Sequence, residues 1–481
     1  MGEIEHNAVS TRAPRWLLAV ILLCALAGIL RAGLLLAHSP LLALANSYDE
    51  VRYTACFDLY PDRDAAIPPT RNSPEAPFAQ YRFMRNEAPL CYWSSELLLQ
   101  GVVVALYHAE EKLTGNKAHS VRWLGALKFG VLFGAWLAFT ACWLRRGEHA
   151  AALANALLLP LLFADPANTV YLNTFYAEWT ALLALYTLCS LILLALGREP
   201  SRRARVLLAL AAFALATSKI QHLLLPLACA AVLLALDLLR ERRMQWPGKA
   251  VLLGALAGLA LQGVQLARDS EAIRAIDMFN RSDVAFTGLL PNARDPAATA
   301  ARLGLDSDCL RFVGLRAWQM PNYPGAVCPS LAHVTRGREL AVLLSEPDLS
   351  LRLGWHGVLA LEPWLAPGLG LVEGGDFSTL PSDFYSFSQT LTALPLLRVA
   401  LLLAPFLACA VLLFGARGRR HPRLLALTAL AVTAMLASLT VTLLGDGLAD
   451  TPKQGHLVLN AALAWWICIL GLGLRRFARR A

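Results

Sequence analysis

The sequence predicts an all-α polytopic membrane protein with about ten membrane-spanning helices and two large loops on one face. Of its 481 residues, 57% are hydrophobic before glycine is counted, whereas roughly 45–50% is usual in soluble domains with glycine included. Charged residues make up only 16%, too few to cover the surface of such a chain in water. The composition therefore excludes a soluble enzyme, a disordered chain and an ordinary secreted domain.

Apolar segments of membrane-spanning length recur along the whole chain. A helix needs about 20 mostly apolar residues to cross the hydrocarbon core of a bilayer. The third, fifth and sixth candidates are short or broken, and the fifth and sixth are alternatively one interrupted hairpin. The ten candidates are 16–38, 121–144, 149–165, 176–196, 206–218, 222–239, 250–266, 394–414, 424–444 and 457–474.

The positions of Lys and Arg orient these segments, because cytoplasmic loops are enriched in both residues. Twenty of the 43 basic residues lie at the termini or in every second connection between the ten segments. These positions are all on the same side of the membrane. Both termini are therefore predicted to be cytoplasmic. The net charge of +9 follows from this topology and does not indicate a nucleic-acid partner. The twenty residues are Arg12, Arg15, Arg145, Arg146, Arg198, Arg202, Arg203, Arg205, Arg240, Arg242, Arg243, Lys249, Arg417, Arg419, Arg420, Arg423, Arg475, Arg476, Arg479 and Arg480.

The first segment is predicted to be a retained helix, although Ala43-Leu44-Ala45 resembles a signal-peptide cleavage site. Its apolar stretch is longer than the usual signal core of roughly 7–15 residues, and Arg31 interrupts it. The segments divide the chain into a tail with the first helix, a first outer loop, a helical bundle, a second outer loop and the last helices. These parts are 1–38, 39–120, 121–266, 267–393 and 394–481.

The two outer loops hold most of the mass outside the predicted membrane, which indicates chemistry at the outer surface. A transporter instead spreads short loops over both faces around a site near the midplane. In the first loop, 51–92 is rich in Pro, Arg and aromatic residues and is predicted to be irregular, whereas 96–113 is predicted to be a helix in the membrane interface. The second loop has helical patterns at 268–279 and 295–304.

Cysteine positions give an independent test of the topology. Six of the ten cysteines fall inside predicted spans, and the other four lie in the outer loops. These four predict two disulfides in an oxidising compartment, Cys56–Cys91 and Cys309–Cys328. Four unpaired thiols are the alternative.

Carboxylates follow the first span directly, in Ser47-Tyr48-Asp49-Glu50. Partial removal from water at a membrane boundary raises a carboxyl pKa, and a carboxylate there can accept a proton from a hydroxyl nucleophile. Asp49 and Glu50 are therefore candidates for acid–base chemistry. A solvated helix end or an interface anchor is the alternative interpretation.

The short connection at 165–178 carries more hydrogen-bonding groups than a turn requires. Its sequence is DPANTVYLNTFYAE. We interpret it as a ligand-binding segment, with an aromatic belt and a helix cap as the equally weighted alternative. The candidate binding residues here are Asn168, Tyr171, Asn173, Tyr176 and Glu178.

Cations lie on the outer side of the predicted membrane, where the positive-inside rule disfavours them. Together they would attract an anionic lipid headgroup, because phosphate pairs well with cationic side chains. The alternative for these cations is that lysine and arginine side chains reach outward to the lipid headgroups without binding a ligand. For the loop at 445–456, the alternative is a tight helical hairpin turn at Asp446-Gly447. The cations are Arg31, Lys128, Lys219, His222, Lys453 and His456.

Signatures of common soluble enzymes are absent from the sequence. It has no Walker loop, Gly-rich dinucleotide turn, Gly-x-Ser-x-Gly elbow or Cys/His zinc spacing. The sequence indicates no particular cofactor, and use of a divalent metal stays an open alternative.

With these residues in place, nearly the whole chain resembles a polytopic GT-C glycosyltransferase of the bacterial glycan-biosynthesis hexose transferase type. The resemblance rests on Tyr48-Asp49-Glu50, the 171–178 segment, Ser218-Lys-Ile-Gln-His222 and Gly445-Asp446-Gly447 with Lys453. It implies a polyprenyl-phosphate sugar donor and a glycan or lipid-linked acceptor. It also implies an active site on the periplasmic side of the bacterial inner membrane.

The resemblance implies a role for each group of candidates. Asp49 would be the general base, with Glu50 as its support or substitute. Glu178 and Asn173, with Tyr171 and Tyr176, would bind the substrate hydroxyls. One departure is Gln454, since the family pattern has His directly after the lysine. The donor phosphate would be bound by Lys219, His222, Lys453, His456 and Arg31.

Three other functions remain open from the sequence. A lipid-linked-sugar flippase or transporter would need paired polar residues at mid-membrane depth, and a scaffold of an envelope complex would need no carboxylate in the first loop. An O-antigen polymerase or ligase is also polytopic with a large outer loop. It would use basic residues of the later loop, where Arg311, Arg316, His333, Arg336, Arg338 and His356 are available.

Overall fold

A computed structural model describes most of the chain. Ser47 and Tyr48 are described only in their backbone. Of the predicted cytoplasmic cations, Arg12, Arg417, Arg419, Arg420, Arg479 and Arg480 lie outside the described residues. The described residues are 13–44, 47–62, 78–85, 91–268, 271–362, 364–366, 380–415 and 421–478.

Long apolar helices form a bundle, and each of the ten predicted segments lies in one of them. Eight helices of the described chain are long and apolar enough to cross a membrane. The other two are α5, which is short, and α8, which has 17 residues. A count of ten spans therefore stays a prediction. The bundle helices are α1 (Arg15–Ala37), α4 (Arg122–Arg145), α5 (His149–Leu158), α7 (Glu178–Ala195), α8 (Arg202–Ser218), α9 (Leu225–Glu241), α10 (Trp246–Ala267), α18 (Pro395–Phe414), α19 (Pro422–Asp446) and α21 (His456–Ala478).

The two ends of the bundle differ in what connects the helices. We call the end where α1, α8 and α19 finish the long-loop face, because both large loops and the 447–455 connection lie there. The opposite end, with connections near 146–148, 196–201 and 242–245, is the short-loop face. The long-loop face corresponds to the predicted outer side.

Small residues let neighbouring helices approach closely in this bundle. At Gly254 of α10, an added Cβ atom would lie 2.0 Å from the backbone oxygen of Ala209 in α8. At Gly471 of α21, it would lie 2.6 Å from the Cα atom of Ala154 in α5. Such contacts are typical of helix pairs in membranes, where close van der Waals packing replaces the hydrophobic effect.

The first outer loop contains a small antiparallel sheet, so the all-α prediction is wrong in this detail. Strands β1 (Leu59–Pro61), β2 (Gln80–Phe83) and β3 (His119–Ser120) lie in that order, with Tyr60 opposite Arg82 and Tyr81 opposite His119. The segment was expected to be irregular because Pro and Arg dominate it. Its Tyr and Phe residues favour a strand once one face has a core to cover.

Helix α3 (Glu96–Thr114) follows the second strand, close to the predicted interfacial helix. Its outward face is apolar, with Leu98, Val102, Leu106 and Leu113 exposed. Its polar residues Glu96 and Gln100 point inward and are fully buried. Apolar side chains on the exposed face and polar side chains on the buried face are expected of a helix in contact with lipid.

The second outer loop is mostly short helices around a small apolar core. This confirms the predicted helical patches, which are α11 and α13 in the structure. The core includes Val284, Phe286 and Leu331. The helices in the loops are α2 (Ser47–Thr54), α6 (Pro166–Thr169), α11 (Glu271–Asp283), α12 (Leu290–Asn292), α13 (Pro296–Leu303), α14 (Pro324–Val327), α15 (Arg336–Ser345), α16 (Pro347–Leu359), α17 (Phe387–Ala393) and α20 (Thr451–Gln454).

Two disulfides join the cysteines that the sequence paired. Cys56 is bonded to Cys91 with 4.6 Å between Cα atoms, and Cys309 to Cys328 with 5.5 Å. The first bond connects the turn that follows α2, the helix that carries Asp49, to the chain that leads into α3. The other six cysteines have free thiols.

Loss of the first disulfide should lower stability, because the bond closes a 35-residue loop. For Cys56→Ser/Cys91→Ser we expect a loss of about 2–5 kcal/mol in the free energy of unfolding. Thermal unfolding in detergent measures it. As a control, Cys24→Ser replaces a buried free thiol and should have a smaller effect. Equal transition temperatures for the double variant and wild type would contradict the prediction.

Candidate active site

Four chain segments converge at the long-loop face of the bundle. They are α2, the irregular chain at 170–177, the end of α8 and the short helix α20. A proline shapes the approach to the second of these. Because Pro160 cannot donate a helical hydrogen bond, α5 widens into a π-helical turn at Leu159–Phe163 and then ends. Asp165 caps α6 through the Ala167 N–H group, and the chain then runs irregularly to α7.

The first pair in the site joins Asp49 of α2 to Lys453 of α20. The Asp49 carboxylate contacts both the Lys453 ammonium and the Arg52 guanidinium. Lys453 also lies 3.4 Å from a carboxylate oxygen of Asp450 and 4.7 Å from the centre of the Tyr176 ring. The Asp49 side chain is 15% exposed and that of Lys453 only 5%. The pair is therefore nearly shielded from water, which strengthens its attraction.

The second pair joins Glu178 at the start of α7 to Lys219 at the end of α8. Lys219 Nζ is 2.7 Å from Glu178 Oε1 and donates to Gln454 Oε1 at 2.6 Å. Both charged side chains are buried. Since Gln454 follows Lys453 directly, α20 places the two lysines side by side in the site. Gln454, where the resemblance led us to expect His, thus supplies an acceptor that holds Lys219.

Both histidines lie beside these pairs. His456 Nε2 is 3.2 Å from the Glu178 carbonyl oxygen, and the His456 ring lies 5.7 Å from that of Tyr171. The His222 ring is 6.4 Å from the His456 ring, and its Nδ1 atom is 3.1 Å from Ser218 Oγ. The structure therefore brings His222, His456 and Tyr171 together with the two lysines.

Glu50, the residue after Asp49 on α2, has a different hydrogen-bond partner from Asp49 and is more deeply buried. Its carboxylate accepts a hydrogen bond from the Tyr81 hydroxyl at 2.8 Å and is 3% exposed. Burial raises the pKa of Glu50 to about 8, against the opposing effects of the Tyr81 bond and Lys128. A carboxyl with that pKa is mostly protonated at neutral pH and is a poor proton acceptor. The expectation that Glu50 supports or replaces Asp49 is therefore not supported by this geometry.

The raised pKa of Glu50 should make the stability of the protein depend on pH. Between about pH 4.5 and pH 8 the folded state binds more protons than the unfolded state, so the free energy of unfolding falls as pH rises. Glu50→Gln removes this proton uptake and keeps an acceptor for Tyr81. We expect the transition temperature of Glu50→Gln to fall less than that of wild type between about pH 5 and about pH 8.5.

Thermal melts of the two proteins across that range measure the difference. Burial raises the pKa of Asp283 to about 7. Asp283 is present in wild type and in Glu50→Gln, so it contributes a similar pH dependence to both transition temperatures. Parallel curves for Glu50→Gln and wild type would show that Glu50 does not titrate in this range.

A buried network holds the chain at 174–176. Lys128 Nζ is 2.8 Å from Glu96 Oε1, and it donates to the backbone oxygens of Thr174 at 2.8 Å and Tyr176 at 3.2 Å. Gln100 donates to the Phe175 carbonyl oxygen at 3.2 Å. Lys128 is fully buried, so the interpretation that it reaches outward to the headgroups is wrong. Its position fixes Tyr176, whose ring covers Lys453.

Arg31 and Asn173 do not lie with the cationic cluster. Arg31 forms an ion pair with Asp165 at 2.8 Å and donates to the Pro160 carbonyl oxygen at 2.9 Å. Asn173 Nδ2 donates to the Leu36 carbonyl oxygen at 3.3 Å. These contacts place Arg31 against Asp165 and Asn173 at the end of α1, so the assignments of Arg31 to a donor phosphate and of Asn173 to substrate stay predictions without support from the pairs described above.

Several site residues were missed in the sequence. Arg52 lies three residues after Asp49 on the same helix face, a spacing that could have identified it. Glu96 and Tyr81 had no local signal, because their partners Lys128 and Glu50 are distant in the chain. Within the described residues, no group of three His, Cys, Asp or Glu side chains could hold a metal ion.

The basic residues of the second outer loop are engaged in separate local contacts. Arg336 pairs with Glu339 at 2.9 Å, and Arg338 donates to the His333 carbonyl oxygen at 2.9 Å. Arg311 packs on the Phe312 ring. His356 contacts Asn292. These contacts stabilise the loop and do not form a common site.

Comparison with known families agrees with the membrane architecture. A family model described as the YfdI N-terminal transmembrane domain matches residues 11–326. No curated protein matches the chain. The matched range contains Asp49, Glu178 and Lys219 and ends before Lys453. The match covers most of the chain, and the chain is a multi-pass membrane protein that belongs to the family of the YfdI N-terminal transmembrane domain.

Proposed function

We propose that this protein is a membrane glycosyltransferase of the GT-C type, which transfers a sugar from a polyprenyl-phosphate donor. The acceptor is a glycan or a lipid-linked glycan at the periplasmic face of the bacterial inner membrane. The observation that carries the proposal is the Asp49 carboxylate in contact with Lys453, beside Lys219, at the long-loop face. A proton acceptor next to two cations suits a lipid-linked donor whose phosphate becomes the leaving group.

The charges of the site fit a phosphate that arrives with the donor. Lys453 has two carboxylate neighbours, Asp49 and Asp450. A bound phosphate would replace Asp49 as the partner of Lys453, and Asp49 would then be free to accept a proton. Arg52 would keep the released carboxylate ionised.

The proposed reaction is a single displacement at the anomeric carbon. The oxygen of an acceptor hydroxyl attacks this carbon, and the hydroxyl proton goes to the Asp49 carboxylate. The bond between the anomeric carbon and the phosphate oxygen breaks, and its electrons leave with the polyprenyl phosphate. Lys219 and Lys453 stabilise the negative charge that develops on this leaving group.

Glu178 and the aromatic residues support the site in this scheme. Glu178 holds Lys219 by the 2.7 Å ion pair, and Tyr176 lies against Lys453. The phosphate bond of the donor supplies the driving force, so the reaction needs no nucleotide-binding domain.

A transfer assay in proteoliposomes tests the proposal. The purified chain is reconstituted with a polyprenyl-phosphate donor carrying a radiolabelled hexose and with membrane glycan extract as acceptor. We expect time-dependent transfer of label to the extract and release of polyprenyl phosphate in equal amount. Movement of the intact donor across the bilayer without transfer would indicate a flippase instead.

A polymerase or ligase would give a different product. It would join glycans carried on polyprenyl diphosphate and would not use the monophosphate donor. Label incorporated only from a diphosphate-linked glycan would overturn the proposal. We favour the monophosphate donor because the described basic residues of the second loop are engaged in local contacts, whereas Lys219 and Lys453 converge.

A further inference from the structure

A large cavity opens at the short-loop face, at the opposite end of the bundle from the candidate active site. Its volume is about 1360 Å³, larger than the roughly 300–1,000 Å³ of most small-molecule pockets. Helices α5, α7, α9, α19 and α21 line it. We call it the short-loop cavity.

The short-loop cavity is long and reaches deep into the bundle. Along α7 its lining extends from Ala195 near the mouth to Leu182, which is about 20 Å at 1.5 Å per residue. One leaflet of a bilayer has a hydrocarbon thickness of about 15 Å. The cavity therefore has the length of one leaflet plus part of a headgroup.

The polar groups on its wall are already hydrogen-bonded within the protein. Asn155 accepts from the Tyr186 hydroxyl at 2.8 Å and donates to Thr140 at 2.9 Å. At the deep end, Asn460 and Asn168 bond to each other at 2.7 and 3.1 Å. A polar solute would gain few new partners from these groups, whereas a hydrocarbon chain needs none.

Four arginines and four carboxylates line the mouth of the short-loop cavity, namely Arg198, Arg240, Arg243, Arg423, Glu148, Glu199, Asp237 and Glu241. Arg423 pairs with Glu148 at 2.5 Å. Arg198 makes no ion pair with any described residue, and Arg146 lies beside it. Arg146 is not part of the cavity lining and donates to the Leu194 carbonyl oxygen at 2.8 Å, so Arg198 is the guanidinium that a ligand at the mouth can contact. Trp246 also borders the mouth, as is typical of a membrane interface.

We infer that the short-loop cavity holds an acyl chain of an anionic glycerophospholipid whose phosphate lies at Arg198. Basic pockets between helices on this side of a membrane are suited to such headgroups. The length of the cavity selects an acyl chain of one leaflet over a polyprenyl chain, which is longer than a leaflet is thick. The inference does not depend on the proposed transfer reaction.

Native mass spectrometry of the full chain tests this inference. The protein is reconstituted in vesicles of equal parts phosphatidylcholine and phosphatidylglycerol with a small fraction of polyprenyl phosphate, then extracted in mild detergent. We expect one phosphatidylglycerol to remain bound to most molecules. The mass of the bound lipid identifies its source directly.

Two variants fill the cavity from different walls, Ala431→Phe on α19 and Ala464→Phe on α21. We expect at least one folded variant to lose bound phosphatidylglycerol about tenfold. The matched control Ala260→Phe adds the same ring on the exposed side of α10 and should retain the lipid. Arg198→Gln should remove the preference for phosphatidylglycerol over phosphatidylcholine.

Three results would overturn the inference. They are wild-type protein without bound lipid, a bound mass equal to that of polyprenyl phosphate, and folded filled variants that retain phosphatidylglycerol as wild type does. Transfer activity is not a readout in this experiment, so failure of this test is separate from failure of the proposed function.

Discussion

Asp49→Asn is expected to lower the rate of sugar transfer by about 10²–10⁴-fold, the usual contribution of a general base. The amide keeps an acceptor for Lys453 and Arg52, which both contact Asp49 in the structure. It cannot take a proton from the acceptor hydroxyl. Because size and hydrogen bonding are nearly preserved, the expected loss is in kcat, with little change in donor binding.

Glu50→Gln is the matched control for this prediction. It makes the same chemical change one residue later, on a carboxyl that is buried against Tyr81. We expect transfer by Glu50→Gln to stay within about threefold of wild type, since a carboxyl that is protonated at neutral pH is not a general base. Initial rates with the radiolabelled polyprenyl-phosphate donor measure both variants. Full transfer by Asp49→Asn would refute the role of Asp49 as the general base.

Lys219→Met is expected to lower both stability and transfer. It leaves the buried Glu178 carboxylate without its 2.7 Å partner, and breaking a buried pair in this way costs about 3–5 kcal/mol. The double variant Lys219→Met/Glu178→Gln removes the buried charge as well and should recover most of that loss. Unfolding in mixed micelles measures the free energies.

The rate of sugar transfer distinguishes the structural role of Lys219 from its proposed role at the phosphate. In the folded double variant we expect transfer to remain about 10²-fold or more below wild type, because one stabilising group for the leaving phosphate is gone. Arg294→Met breaks an exposed pair with Asp348 in the second loop. This control should lose less than about 1 kcal/mol and keep its transfer activity. Recovery of transfer in the double variant would limit Lys219 to a structural role.

Local patterns were sufficient to predict the helices because lipid imposes a simple rule on them. A spanning helix must satisfy its own backbone hydrogen bonds and show apolar side chains outward. The segment 394–414 was predicted from apolar length alone, and α18 spans Pro395–Phe414. The three-stranded sheet was not predicted, since its strands come from 59–61, 80–83 and 119–120 and pair over long sequence separations.

The candidate site was predicted as a set of residues but not as a set of pairs. The sequence indicated that Asp49, Lys219 and Lys453 lie on one face of the membrane. Which carboxylate meets which lysine depended on α20, a four-residue helix whose position follows from packing. Arg31 shows the same limit, because the sequence placed it in the first helix but could not identify its partner Asp165, which lies 134 residues away.

The sequence by itself determined that this chain is a membrane protein and the approximate positions of its helices. These properties depend on composition and on periodic spacing, which are local. Only the tertiary structure decided that Asp49 and Glu50, which are adjacent in the chain, have different partners and different exposure to water. Asp49 contacts two cations, whereas Glu50 is buried against a tyrosine. The ionisation of a carboxyl is set by the charges and solvent around it, and distant segments bring these to each residue.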